Sequence, residues 1–363
     1  MIGAPGKKRI LFVTNHFRYS NGVASVLRSM IQDLNEEKYD ISLLALYDID
    51  MDFAAPVLNR ITLVKGFGGY FRGMDKLVNL IPPKVLYRHF VREKYDLEVA
   101  YQFGMPTKMI AMGDNPNRIC WMHTFDEKMV LGKYYPRFKK VITVAKAGAT
   151  KLIEKGFEKE KCGCLYNVID DSAITDLASK PCSLIKTHRY AVATVARLAP
   201  DKAFMRYLEC LREIHYNFPD AEFWIIGGGS EEQNMRAYID ENHMDEYVKM
   251  TGPQKNPYPY LANADLYFCC SYREGFSTAC QEAAIVGVPV LSVEVDGARE
   301  LIELVGCGDV VPNDKRGIVD GITNALAENL PERWREAARQ NKVRLSKVER
   351  IADIERELDR FLG

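Results

Sequence analysis

Short runs of branched and aromatic residues alternate with longer amphipathic segments along nearly the whole chain, and this rhythm constrains the fold more than any other feature. Ile10-Leu-Phe-Val-Thr14 reads as a strand, followed by a loop and a helix over about Val23 to Asn35. Ile41–Leu46, Leu97–Tyr101, Arg118–Met122 and Val141–Val144 repeat the strand pattern, with helical segments between them. A helix between two strands carries the chain back across the sheet, so the strands run parallel and both faces are covered. From Asp170 to Thr187 the rhythm breaks into a polar stretch containing Pro181, which reads as a linker, and it then restarts. Tyr190–Val195, Phe223–Ile226, Leu266–Cys269 and Val288–Val293 are the strands of the second half. The prediction is an α/β chain of two Rossmann-like, doubly wound parallel-sheet domains facing a central cleft, residues 1–175 and 185–345. A C-terminal helix follows over 346–363, with Ile351, Ile354, Leu358 and Leu362 on one face.

Composition narrows the class. The 363 residues are 47% hydrophobic and 27% charged, which excludes disordered, collagen-like and disulfide-scaffold chains. No run approaches the roughly 18–20 apolar residues of a spanning helix, and the N-terminus lacks the longer apolar region of a signal peptide. A cytoplasmic location is expected. Net charge is zero, which does not suggest a nucleic-acid partner. The charge is unevenly spread, with 26 Lys and Arg against 18 Asp and Glu in residues 1–170. The first half therefore favours an anionic partner or membrane surface. Nine cysteines without metal-ligand spacing read as buried, reduced thiols of a reducing compartment.

Two segments could carry chemistry. In Glu274-Gly-Phe-Ser-Thr-Ala-Cys-Gln-Glu282, Gly275 permits a tight turn out of the preceding strand and Ser277 is a natural N-cap. A helix start is an anion site, because its N–H groups are unpaired and its dipole favours negative charge. Glu274 and Glu282 could then face a ligand with hydroxyls at both ends and a phosphate between them. An N-terminal acid and a solvated helix glutamate explain the same residues. In Val195-Ala-Arg-Leu-Ala-Pro-Asp-Lys202, Arg197 leaves a strand end and Lys202 opens the next helix. Ligands of doubly wound sheets bind outside the carboxyl ends of strands, where two cations could clamp a diphosphate. A strand-end Arg with a surface Lys is the plainer alternative.

With their context these residues resemble the GT-B-fold retaining glycosyltransferases of family 4 (glycosyl transferases group 1). The resemblance rests on Ala196-Arg197-Leu198 with Lys202-Ala203, on the E-x7-E pair Glu274 and Glu282, and on Tyr260–Asp265, Ser271–Phe276, Glu282–Pro289 and Tyr166–Asp170. It covers nearly the whole chain, most densely residues 190–300. It implies sugar transfer from a nucleotide diphosphate sugar, such as a UDP-sugar, to a glycan or lipid-linked glycan acceptor in polysaccharide biosynthesis. Anomeric configuration would be retained, and neither metal nor cofactor is expected. Arg197 and Lys202 would hold the diphosphate, Glu282 the ribose hydroxyls and Glu274 the sugar hydroxyls. The backbone of Gly275, Phe276 and Ser277 would lie close to sugar and phosphate. His123, after the strand Arg118–Met122, would contact a sugar hydroxyl, although a lone histidine also suits a packing or capping role. Gly228, in the Gly227-Gly-Gly-Ser230 turn, would lie near the donor. Gly22 would let the backbone approach the ligand, with Asn21 where the family has another glycine. Ala196 and Ala203 also replace family glycines. A sugar-nucleotide epimerase or a phosphorylase on the same architecture, and a non-catalytic bilobed binding protein, are the alternatives.

Two further features stand apart. Asp48-Ile-Asp50-Met-Asp52 imitates a D-x-D metal motif but follows the second strand, and it reads as an acidic surface loop. Residues 65–94 hold seven Lys and Arg (Lys65, Arg72, Lys76, Lys84, Arg88, Arg92, Lys94) against Asp75 and Glu93, interleaved with Phe67, Tyr70, Phe71, Tyr87 and Phe90 and with the apolar stretch Leu77–Ile81 between them. Basic residues among aromatics suit an anionic membrane surface, on the inner face of the membrane for a cytoplasmic chain. A solvated helix face over an ordinary core is the other explanation.

Overall fold

The structure is a computed structural model that describes residues 6–19, 22–125, 132–341 and 345–363. The chain divides into two compact units, Met1–Val168 with Val348–Gly363, and Ile169–Lys347. Each is built on its own sheet.

The first sheet has seven strands: β1 (Lys8–Phe17), β2 (Tyr39–Ile49), β3 (Ile61–Val64), β4 (Leu97–Ala100), β5 (Arg118–Met122), β6 (Lys140–Thr143) and β7 (Cys162–Cys164). Their order is β3-β2-β1-β4-β5-β6-β7, and every pairing is parallel. The order reverses between β1 and β4, which is the switch point at which doubly wound sheets bind ligands. Ile10, Leu11, Phe12 and Val13 of β1 are all fully buried, as a central strand covered on both faces requires. On one face Leu11, Val13, Leu44 and Leu46 pack with Leu86, Met109 and Ile110 from the crossover helices. Glu98 is buried in β4, accepts a hydrogen bond from the Tyr87 hydroxyl at 2.8 Å, and is held above the ordinary carboxylate range by burial.

The helix Lys347–Leu362 completes this unit at the opposite end of the strands. The Tyr39 hydroxyl donates to Asp359 at 2.6 Å, Lys8 Nζ to the Leu362 carbonyl at 2.8 Å, and Lys140 pairs with Glu357. Lys8, Tyr39 and Lys140 open β1, β2 and β6, so the helix covers the amino ends of the strands and leaves their carboxyl ends clear of it. Ile351, Ile354, Leu358 and Leu362 are all buried.

The second sheet contains β8 (Tyr190–Val195), β9 (Ala221–Ile226), β10 (Val248–Gly252), β11 (Leu266–Cys269), β12 (Val290–Val293) and β13 (Gly308–Val311). Its order, β10-β9-β8-β11-β12-β13, repeats the first sheet's pattern and is again entirely parallel. Val192, Phe223, Ile225, Leu266 and Phe268 form a core with Tyr207, Leu208, Leu211, Ile318 and Ile322. The switch point lies between β8 and β11.

The stretch expected to be a linker is partly helical. Asp171–Ala178 forms a helix whose N-cap, Asp170, accepts from the Ala173 N–H at 3.0 Å and from Lys347 Nζ at 3.1 Å. Irregular chain is confined to residues 179–189, and the second unit begins at Ile169. The nine cysteines are unpaired; Cys162, Cys164 and Cys182 are only half-buried, because β7 is an edge strand and Cys182 lies in the irregular stretch.

Candidate functional site

At the carboxyl end of β8 the chain enters a loop held by the glycine turn after β9. A side chain on Gly227, whose φ is +145°, would sit 1.9 Å from the Ala196 carbonyl oxygen, and one on Gly229 would sit 2.2 Å from that of Leu198. The Leu198 N–H donates to the Gly228 carbonyl at 3.0 Å, and a Cβ at Gly228 would meet the Pro253 ring at 3.2 Å. The turn's glycines thus admit the 196–198 backbone at van der Waals contact and set where Arg197 leaves the sheet. Arg197 itself is two-thirds exposed and reaches Asp201 at 4.0 Å.

Lys202 closes a single 3₁₀ turn, Pro200–Lys202, and the helix Phe204–Asn217 starts two residues later. Between them Ala203 is buried in the left-handed region, φ +58° and ψ +28°. This conformation costs an L-residue with a Cβ about 1–2 kcal/mol. The turn aims Lys202 Nζ at Glu274 Oε1, 2.7 Å away, and the Ser271 hydroxyl donates to the same oxygen at 2.6 Å. The two loops are also joined through backbone, with the Tyr272 N–H donating to the Asp201 carbonyl at 3.0 Å and the Cys270 thiol to that of Lys202 at 3.2 Å. Burial works against the Lys202 ammonium, but the Glu274 carboxylate more than offsets it and raises the pKa above its ordinary value. The result is a half-buried ion pair at the carboxyl ends of the two strands that flank the switch point.

Arg206, which the sequence analysis did not single out, supports this arrangement from below. It is buried, donates to the Cys270 carbonyl at 2.6 Å and the Asn313 carbonyl at 3.1 Å, and lies 4.3 Å from the centre of the Tyr272 ring. Asn313 in turn donates to the Ser271 and Glu294 carbonyls at 3.3 and 3.0 Å. Nothing in local spacing separates Arg206 from the solvent-facing arginines of other helices.

The helix Thr278–Ile285 begins at Ser277, whose hydroxyl accepts from the Cys280 N–H at 3.3 Å. Buried Gln281 donates to the Phe276 and Ser277 carbonyls, both at 3.2 Å, and Phe276 is itself buried. Gly275 is not among the residues with positive φ, so the turn into this helix does not rest on a left-handed backbone angle there. Glu282 keeps part of its surface open, yet desolvation pushes its carboxyl up to about 7.

In the first unit, His123 follows β5, its ring 4.8 Å from that of Tyr101. Burial pulls its pKa down to about 4, partly offset by a hydrogen bond to the Tyr101 backbone, so it is neutral at pH 7. Its Nε2 is buried with no hydrogen-bond partner among the described residues. Gly22 opens the helix Gly22–Asp33, where a Cβ would meet nothing within 4 Å. Asn21 lies outside the described residues. The acidic run 48–52 is not a free surface loop. Asp48 lies one residue before the end of β2, hydrogen-bonded to His16 Nδ1 at 2.6 Å and to Arg18 at 2.9 Å, and Asp50 caps the helix Met51–Ala54.

Two outcomes follow from these environments. Ala203→Gly relieves left-handed strain and is expected to leave stability unchanged or raise it by about 1 kcal/mol, whereas Ala203→Val adds β-branching there and costs more than 1 kcal/mol. Denaturant unfolding that ranks Gly as low as Val would contradict the assigned conformation. Glu282 holds its proton more tightly in the folded chain, about 7 against an ordinary 4.5, so its stabilising contribution is full below about 4.5 and is lost as pH rises through about 7. Glu282→Gln should therefore melt close to wild type at pH 5 and higher than wild type at pH 8. An equal difference at both pH values would refute the desolvation.

Residues 178–341 match the family model described as Glycosyl transferases group 1. An uncharacterized glycosyltransferase of Methanocaldococcus jannaschii is 24% identical over 192 residues, 50% of this chain and 46% of the relative. The N-acetylgalactosamine-N,N'-diacetylbacillosaminyl-diphospho-undecaprenol 4-alpha-N-acetylgalactosaminyltransferase of Campylobacter jejuni is 24% identical over 216 residues, 58% of each chain. The chain spans about half the length of the curated relatives it matches. Among solved structures, Anabaena Alr3699/HepE in complex with UDP aligns over 97% of this chain and 99% of its own, with a TM-score of 0.70 at 18% identity. The chain has the GT-B fold, and the match to the glycosyl transferases group 1 model falls within its second unit.

Proposed function

We propose that the chain is a retaining glycosyltransferase that moves a sugar from a nucleotide diphosphate sugar, a UDP-sugar, to a glycan or lipid-linked glycan acceptor in polysaccharide biosynthesis. The observation that carries this reading is the Lys202–Glu274 pair at 2.7 Å, set at the switch point of a group 1 domain. An incoming diphosphate gives Lys202 a second anionic partner and frees a Glu274 oxygen to accept sugar hydroxyls. Exposed Arg197 can fold onto the same diphosphate with its bidentate fork. Glu282 meets the ribose hydroxyls, and the backbone of Gly228, Gly275, Phe276 and Ser277 meets phosphate and sugar. Neutral His123, with its unpartnered Nε2, can donate to or accept from a sugar hydroxyl, and the open space at Gly22 admits ligand close to backbone.

In the transfer, the bond from the anomeric carbon to the diphosphate oxygen breaks. The acceptor oxygen bonds to that carbon on the same face, and the acceptor's proton passes to the departing diphosphate. Lys202 and Arg197 stabilise the charge that develops on the leaving group, the term that most often dominates such catalysis. These cations do the work that a metal does elsewhere, and no cofactor is needed. The UDP and UDP-glucose complexes of Alr3699/HepE support a UDP-sugar donor. The diphospho-undecaprenol in the Campylobacter relative's name supports a lipid-linked acceptor, which would place the chain on the cytoplasmic face of a membrane. No helix among the described residues is long and apolar enough to cross a membrane.

The test is a thermal-shift panel of UDP-, GDP- and ADP-sugars, followed by UDP release with and without lipid-linked glycan. A donor at 100 Kd adds about 2.7 kcal/mol of stability. Lys202→Ala and Arg197→Ala should each lower acceptor-dependent UDP release by roughly 10²-fold or more, and wild-type release should persist in EDTA. Near-wild-type rates in both variants would refute the diphosphate assignment. Loss in EDTA restored by Mn²⁺ would refute metal independence, and UDP release indifferent to acceptor would favour epimerisation or hydrolysis.

A further inference from the structure

Seven of the sixteen exposed large apolar side chains among the described residues lie between Leu63 and Val85. Single exposed apolar residues are ordinary, but a cluster this dense marks an interaction surface. The core does not account for it. The helix Met74–Val78 turns Val78 inward, and the helix Pro83–Phe90 turns Leu86, Tyr87 and Phe90 inward, so both already have a satisfied face. Phe71, Leu77, Leu80 and Val85 nevertheless stand outward, with exposures of 58%, 57%, 80% and 54%. Of the five aromatics read from the sequence, Phe67, Tyr70 and Phe71 are exposed while Tyr87 and Phe90 belong to the core, and the Leu77–Ile81 stretch supplies exposed Leu77 and Leu80.

The same segment is basic, with seven Lys and Arg against two acids over residues 65–94. Lys84 pairs with Asp114, but Lys65, Arg72, Lys76 and Arg88 are exposed and form no ion pair among the described residues. Lys108, bonded to Asn79 at 2.7 Å, adds a further cation beside the cluster. Outward apolar groups among unneutralised cations match an anionic bilayer in both its acyl and its headgroup layers. Protein interfaces, by contrast, are depleted in lysine. The surface also adjoins the ligand-binding end of its sheet. The Phe67 N–H donates to the Leu46 carbonyl at 2.8 Å, and the Tyr70 ring lies 4.9 Å from His16, at the carboxyl ends of β2 and β1.

We infer that this face docks on an anionic bilayer, with Phe71, Leu77, Leu80 and Val85 entering the interface and Lys65, Arg72, Lys76 and Arg88 meeting headgroups. It deepens the proposed reading of a lipid-linked acceptor and rests on it for its purpose, since docking brings the sugar end of a bilayer-anchored molecule to the carboxyl ends of β1 and β2.

The experiment is co-sedimentation of the full chain with vesicles of phosphatidylcholine alone or mixed with phosphatidylglycerol, at low and high salt. Binding is expected only with phosphatidylglycerol and is expected to weaken at high salt. Leu80→Glu, and the double variant Arg72→Glu with Lys76→Glu, should each reduce it about tenfold or more. Ile185→Glu, at an equally exposed apolar position in the second unit, should bind as wild type. Equal recovery in the supernatant under all conditions would overturn the inference. So would equal losses for Leu80→Glu and Ile185→Glu, or a concentration-dependent dimer abolished by Leu80→Glu without vesicle binding. A UDP thermal shift on the same samples separates the two readings. Absent vesicle binding with an intact shift rejects the docking face alone, and an absent shift with intact binding rejects the UDP-sugar reading alone.

Discussion

All thirteen strands among the described residues pair in parallel, and that one constraint decides where chemistry can be built. A parallel strand needs a crossover to return, so every strand-to-helix loop of a sheet emerges at the same edge. In the second unit this brings Arg197, Lys202, the 227–229 turn and Glu274 to one edge although they are far apart in sequence. In the first unit it does the same for His16, the Gly22 helix start and His123. The C-terminal helix occupies the opposite edge, against Lys8, Tyr39 and Lys140. Stabilising contacts and candidate functional groups are thus separated by the length of a strand.

Within that frame the Lys202–Glu274 pair, at 2.7 Å, is the charged feature that bridges the loops after β8 and β11. Its side chains are 21% and 14% exposed, so each charge needs the other or an equivalent partner. A ligand that supplies an anion to Lys202 and hydroxyls to Glu274 satisfies both at once. Arg206 and Asn313 act on the backbone. They anchor the 270–272 backbone, and with it the geometry from which Glu274 departs.

Central strands were legible because burial on both faces leaves unbroken apolar runs, as in Ile10–Val13 and Phe223–Ile226. Edge strands such as Cys162–Cys164, Val248–Gly252 and Gly308–Val311 were not, since a half-exposed edge tolerates Lys, Asp and Gly and shows neither a run nor an alternation. The helix Asp171–Ala178 was hidden because it buries only Ile174 and its capping aspartates look like linker polarity. Motif chemistry located Lys202, Glu274 and the Ser277 cap, because capping and strand-end placement are local properties. It missed Arg206, whose role depends on carbonyls 64 and 107 residues away. It also misjudged Asp48, whose partners His16 and Arg18 lie on a neighbouring strand and the loop beyond it.

The central claim is that the carboxyl ends of β8 and β11 form the nucleotide diphosphate site, and a crystal structure of the chain with UDP tests it most directly. The expected density places the diphosphate within hydrogen-bond distance of Lys202 Nζ and the Arg197 guanidinium, with the ribose hydroxyls on Glu282. UDP bound elsewhere, with Lys202 and Glu274 still paired and untouched by ligand, would contradict the account.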